Sequence, residues 1–203
     1  MKREADRYLS FLKGLLCPPR WQHSLGVMRV MAELAEVYSL DCDQAMTTGL
    51  LHDAARDMSD AQLRALAKEA GIELIDPCER HPVYLHALAG AYLVSKKLKV
   101  TDRLILDAIA AHSHADHGSN FDTPLAQCLR FADVLEPGRE WPGFNKLHRI
   151  VFAGRAEEAT LLLSGWLIEY FQEQHIPVHP NLKKHFEALS GKLVVDDFFF
   201  ERW

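Results

Sequence analysis

The sequence predicts an all-α protein folded as a compact helical bundle. Three observations carry this. Apolar residues return every three or four positions along most of the chain, the spacing that gathers one face of a helix. Prolines and polar, Gly-containing clusters separate these periodic segments, as turn formers do. No stretch alternates apolar and polar residues for long enough to found a sheet.

The elements follow in order. Residues 3–16 place Leu9, Leu12, Leu15 and Leu16 near one face. Pro18-Pro19 breaks the chain, and Pro19 suits the first turn of a second helix over about 20–38, where a missing N–H is harmless. Leu25, Met28, Val30, Met31, Leu34, Ala35 and Tyr38 give that helix its apolar side. Asp41 or Asp43 can cap a third helix over about 43–54, running into Leu50-Leu51-His52-Asp53. Ser59 caps a fourth that reaches about residue 70, where Gly71 closes it. Residues 72–82 read as a loop before a fifth helix over about 83–97. Thr101 is placed to cap a sixth over about 102–112. The polar run HSHADHGSNFDTP is a loop, and a seventh helix over about 124–135 ends at EPGR. Segments 143–152 and 155–175 are helical, and Pro180 opens a last helix to about 189. The expected organisation is one helical domain over 1–190, its terminal helices packed on it, and an apolar and acidic tail over 191–203. Docking on the body, a strand and a partner surface are all open for that tail.

With 203 residues, 48% hydrophobic and 25% charged, the chain can bury a sizeable core. A net charge of -5 argues against a sequence-independent nucleic-acid binder, which would show a basic face. A small anionic substrate stays compatible, because bound metal ions invert the local field. No apolar run approaches the roughly 18 residues of a membrane helix. The opening MKREADRYLSFLKGLL has no signal-peptide core. Cys17, Cys42, Cys78 and Cys128 lie far apart without a CxxC pair, so neither a disulfide framework nor a zinc knuckle is expected. The expectation is a cytoplasmic protein that binds neither nucleic acid nor membrane. A homodimer is left open.

The unusual feature is histidine, at 11 residues. Singly, His23 and His86 read as ordinary core or boundary residues. Asp133 inside LRFADVL is less ordinary, since a buried carboxylate is rare without a partner. His52-Asp53 after the apolar Gly49-Leu50-Leu51 carries a desolvation cost that calls for one. With His112, these six residues fall within or at the end of different helices, the adjacent pair excepted. A bundle can point such side chains at one interior site, and imidazole and carboxylate suit iron, manganese, zinc and similar ions.

In this order, H…HD…D, the residues resemble the signature of the HD-domain metal-dependent phosphohydrolases. WQHSLGV (21–27), GLLHDAARD (49–57), LHALAGAYL (85–93), AIAAHS (108–113), LRFADVLEPGREWPG (129–143) and VHP (178–180) are similar to successive blocks of the YqeK-like symmetrical bis(5'-nucleosyl)-tetraphosphatases. The likeness covers about residues 5–190. It implies an HD-domain bundle that hydrolyses diadenosine tetraphosphate to two ADP through a metal-activated hydroxide. It also implies two metal ions, with iron expected and manganese, cobalt, nickel or zinc suitable. His23, His52, Asp53 and Asp133 would hold the first. Asp53 would bridge to a second, held by His86 and His112.

Beyond the ligands, Arg56 is a phosphate contact, and Asp57 orients a ligand histidine or handles a proton. A surface ion pair is the plainer reading of both. Arg139, in a Gly-containing loop soon after Asp133, is the stronger phosphate candidate. After His112 the family shows a Thr-Thr-Gly-like run, where this chain has Ser113-His114-Ala115. His114 is a candidate phosphate contact, set against a solvated polar loop. Two alternatives keep the fold: action on a nucleoside monophosphate or cyclic nucleotide, and a non-catalytic metal or nucleotide sensor.

Overall fold

The computed structural model describes residues 2–74, 80–113, 122–196 and 199–201. Among them are ten α-helices and no strand: α1 (Lys2–Lys13), α2 (Pro18–Val37), α3 (Cys42–Leu51), α4 (Asp60–Glu69), α5 (Pro82–Leu98), α6 (Arg103–Ala111), α7 (Pro124–Leu135), α8 (Phe144–Phe152), α9 (Ala156–Glu173) and α10 (Pro180–Ser190). The all-α expectation holds. No described helix is long and apolar enough to cross a membrane.

The helix starts follow from local chemistry. Asp41 caps α3, accepting the Gln44 N–H at 2.8 Å. Ser59 and Gln62 form a reciprocal capping box at α4. At α6 the cap is Asp102, not Thr101: its carboxylate accepts the N–H groups of Leu104 and Ile105 at 2.9 and 3.4 Å. Gly71 leaves α4 at a φ of 68°, a conformation that costs glycine little.

The contacts group into two compact units, Met1–Gly138 and Arg139–Trp203. Their boundary lies inside the span that the sequence assigns to one domain. In the first unit α2 packs on α3 and α7, α3 on α6 and α7, and α5 on α4 and α6. Helix α5 is buried nearly all round, as befits a central helix: every residue from Tyr84 to Ala91 is buried, and so are Leu93, Val94 and Leu98. Gly49 allows α3 to lie against the α2 backbone. A Cβ there would stand 2.9 Å from Met31 Cγ and 3.0 Å from Met28 Cα.

In the second unit α9 packs on α8 and α10. The described end of the tail docks there. Trp166 Nε1–H donates to the Phe200 carbonyl at 2.7 Å, Lys146 donates to the Glu201 carbonyl at 2.9 Å, and the Phe186 and Phe200 rings lie 5.9 Å apart.

Candidate metal centre

The first unit brings six side chains to one place: His23 from α2, His52 and Asp53 from the end of α3, His86 from α5, His112 from the end of α6 and Asp133 from α7. Asp53 is central and only 3% exposed. Its Oδ2 lies 3.5 Å from His52 Nε2 and 3.7 Å from His23 Nε2. Its Oδ1 lies 3.1 Å from His86 Nε2 and 3.7 Å from His112 Nε2. Asp133 Oδ1 stands 3.1 Å from His23 Nε2 and 3.9 Å from His52 Nε2. Two three-residue groups share the Asp53 carboxylate: His23, His52 and Asp53, then Asp53, His86 and His112. In each, the ligand atoms all lie within 4.8 Å of one another.

The opposite ring nitrogens explain why every Nε2 turns inward. His52 Nδ1 is 2.8 Å from the Gly49 carbonyl, His112 Nδ1 2.7 Å from that of Ile109, and His86 Nδ1 3.2 Å from that of Pro82. A carbonyl only accepts, so these Nδ1 atoms carry the protons. His23 Nδ1 meets Glu136 Oε1 at 3.2 Å instead. This also corrects the end of the third helix. His52 takes the Gly49 carbonyl, the acceptor a continuing helix would offer to the Asp53 N–H. Three-residue turns then follow, from Ala54 N–H to Leu51 at 3.1 Å and from Arg56 N–H to Asp53 at 2.9 Å. Asp53 therefore sits on a turn, not on a helix.

With Nδ1 protonated, a neutral ring has a bare Nε2. His86 Nε2 and His112 Nε2 lie 3.0 Å apart, beside the Asp53 carboxylate. Acceptors this close repel unless a proton or a cation lies among them. His52 Nε2 is buried without a hydrogen bond among the described residues. Ligands about 2.1 Å from one ion stand roughly 3.0 Å apart at a right angle and 3.4 Å at the tetrahedral angle. The 3.0 and 3.1 Å separations fall in that range and the others exceed it by up to about 0.5 Å, so the cluster suits a divalent metal ion.

The protonation states suit one too. Burial lowers the His52 pKa to about 4, overcoming the upward pull of Asp53. Burial likewise lowers His86, against its contact with Asp53. For Asp53, burial pulls upward, but His52 and the contacts of His112 and His86 hold it well below the usual carboxylate range. Neutral imidazole and ionised carboxylate are the forms that bind metal.

Sequence reasoning missed two residues. Arg20 Nη1 is 2.8 Å from Asp53 Oδ2, and its side chain is 26% exposed, so it reaches the cluster from the solvent side. It stands three residues before His23, on the same face of α2, a spacing that could have pointed to it. Glu136 stands three residues after Asp133 and is 6% exposed. Asp57 is not brought into the cluster. It is exposed, and its Oδ2 accepts the Cys17 N–H at 2.8 Å, tying the turn to the start of α2. The carboxylate that touches a ligand histidine from behind is Glu136. Arg56 is half-buried, and its charge helps to lower the His86 pKa. Arg139 opens the second unit and is half-buried there. His114 lies outside the described residues.

Residues 20–138 match the HD domain family, nearly the span of the first unit. The chain is 27% identical over 178 residues to the symmetrical bis(5'-nucleosyl)-tetraphosphatase of Bacillus subtilis (strain 168), covering 87% of this chain and 92% of that one. It is 30% identical over 139 residues to the protein of the same name from Halalkalibacterium halodurans, covering 68% and 72%. It also resembles the crystal structure of an HD superfamily hydrolase, described as involved in NAD metabolism, from Clostridium acetobutylicum. That likeness has a TM-score of 0.84 at 28% identity and covers 93% of this chain and 98% of the other.

Proposed function

The chain belongs to the HD domain family, and we propose that it is a metal-dependent phosphohydrolase cleaving diadenosine tetraphosphate symmetrically into two ADP. The observation that carries this is the pair of buried ligand groups sharing Asp53. In our reading His23, His52, Asp53 and Asp133 hold one ion, and Asp53, His86 and His112 a second, both iron. When bound, such a pair neutralises phosphate charge and lowers the pKa of water toward roughly 7.

The chain's own residues do the rest. The backbone carbonyls behind His52, His86 and His112 hold the rings in the tautomer that turns Nε2 inward. Arg20 is oriented toward an oxyanion already and partly exposed, so its guanidinium receives the substrate's phosphate oxygens. Arg56, Arg139 and His114 are further phosphate contacts in this reading. Water attacks an inner phosphorus in line, and the bond from that phosphorus to the central bridging oxygen breaks. The departing ADP is a stable anion and needs little acid assistance.

The test is product chromatography after incubating the full chain with diadenosine tetraphosphate and Fe²⁺ or Mn²⁺. Two ADP per substrate supports the reading. AMP with ATP contradicts the symmetrical cut. An intact tetraphosphate beside a hydrolysed monophosphate or cyclic nucleotide contradicts the substrate. Bound metal with no turnover of any phosphate ester makes the chain a sensor.

A further inference from the structure

Glu136 is buried at the end of α7, yet none of the roles above uses it. Its two oxygens are committed. Oε1 lies 3.2 Å from His23 Nδ1, and Oε2 accepts the Gly138 N–H at 2.7 Å. Two glycines make the space. A Cβ at Gly26, one turn after His23, would stand 2.5 Å from Oε2. A Cβ at Gly138 would stand 3.0 Å from each oxygen. Burying a carboxylate costs several kcal/mol unless its partners are well placed. Clearing two side chains to admit one is a local arrangement that a purely apolar core would not need.

We propose that Glu136 is a positioning residue for the metal centre: it holds the His23 ring with Nδ1 protonated and Nε2 turned to Asp53 and Asp133, in the cradle left by Gly26 and Gly138. His52, His86 and His112 have backbone carbonyls for this task, whereas His23 has a side chain. The same carboxylate ties the ligand to the turn Glu136-Pro137-Gly138 through the Gly138 N–H. His23 is thereby the ligand that a single substitution can release without touching the backbone.

The inference rests on the metal reading only for its second arm. The first arm is long-range ¹H–¹⁵N NMR of the metal-free full chain at pH 8. His23 is expected as the Nδ1–H tautomer in the wild type and in Glu136→Gln, whose amide oxygen still accepts. Glu136→Ala and Gly26→Ala are expected to give a mixture or the Nε2–H form. The clash at Gly26→Ala is with the far end of a flexible side chain, so the fold can absorb it while the carboxylate moves. The second arm is Mn²⁺ binding by calorimetry. One site should weaken roughly 10- to 100-fold in Glu136→Ala and Gly26→Ala, with Glu136→Gln in between and the other site unchanged. A His23 tautomer unaltered in Gly26→Ala and Glu136→Ala overturns the proposal. So does unchanged Mn²⁺ affinity at both sites. A wild-type chain that binds no Mn²⁺ sinks the metal reading, and the tautomer arm still decides the role of Glu136.

Discussion

A buried histidine with a pKa near 4 makes the metal-free protein sensitive to mild acid. His52 is fully buried and titrates at about 4, against 6.5 when exposed. Below pH 6.5 the unfolded chain binds a proton at this ring that the folded chain refuses, so stability falls as pH falls and the loss levels off below 4. Integrating between those two values gives roughly 2 kcal/mol lost between pH 7 and pH 4.5. His86 is lowered as well and adds loss in the same direction, while Asp53 adds loss only as pH falls through the usual carboxylate range and below it.

The assay is urea denaturation of the chelator-treated full chain at pH 4.5, 5.5, 6.5 and 7, beside His52→Gln. Gln carries no titrating proton and can still donate to the Gly49 carbonyl. The wild-type curve should drop by roughly 2 kcal/mol more than the variant's across this range. Free Mn²⁺ at 100 times a site's Kd should raise wild-type stability by about 2.7 kcal/mol for each site filled at pH 7. That increment should shrink in acid, because a protonated ring cannot ligate. Parallel wild-type and His52→Gln curves would refute the argument, since they would mean that His52 is not buried as a neutral ring.

Asp53→Asn should leave the helical circular dichroism unchanged and remove most bound metal and all turnover, because one carboxylate serves both ligand groups. Metal analysis showing wild-type stoichiometry in this variant would end the shared-ligand reading. Arg20→Ala should raise KM for diadenosine tetraphosphate at least tenfold, with metal stoichiometry kept; Arg20→Lys should recover only part of it, because lysine cannot bind two oxygens at once. A variant with wild-type KM would remove Arg20 from phosphate binding. Arg139→Ala should also raise KM with metal content unchanged, and silence there would remove the phosphate clamp. Burial raises the Cys128 pKa to about 12, so iodoacetamide at pH 8 should modify Cys17 and Cys42 but spare Cys128 until the chain is unfolded. Peptide mass spectrometry showing Cys128 modified in the folded chain would contradict that.

Most of the fold was legible because its signals are local. Pro18, Ser59, Pro124 and Pro180 mark helix starts by their own backbone and side-chain chemistry, and α2, α7 and α9 announce themselves by period. Where the reading slipped, a tertiary or side-chain bond had taken over. Ala54-Ala55 favours helix, yet the ladder stops at Leu51, because His52 turns its Nδ1 onto the Gly49 carbonyl. Thr101 and Asp102 are both acceptable caps, and Asp102 takes the place, its other oxygen accepting from Gln44 Nε2 at 2.8 Å.

The site divides along the same line. The six ligand candidates could be read because His52-Asp53 and Asp133 are unusual residues for their local settings, and the order of all six along the chain is distinctive. Glu136 could not, and Arg20 only through its spacing from His23, because an arginine in the first turn of a helix and a glutamate at the end of another are ordinary residues there. What makes them part of the site is α2 lying on α3 and on α7, which no local rule reports. Asp57, by contrast, looks better in sequence than in space. It is four residues from Asp53 along the chain, but the turn between them carries it to the Cys17 N–H at the surface. Glu136 is 113 positions from His23 and within 3.2 Å of it. The sequence places a carboxylate behind a candidate ligand histidine at Asp57, whereas the carboxylate that lies against one is Glu136. Gly26 held the missing clue, since a glycine one turn after a ligand on a buried helix face implies that something must fit where its side chain would have been.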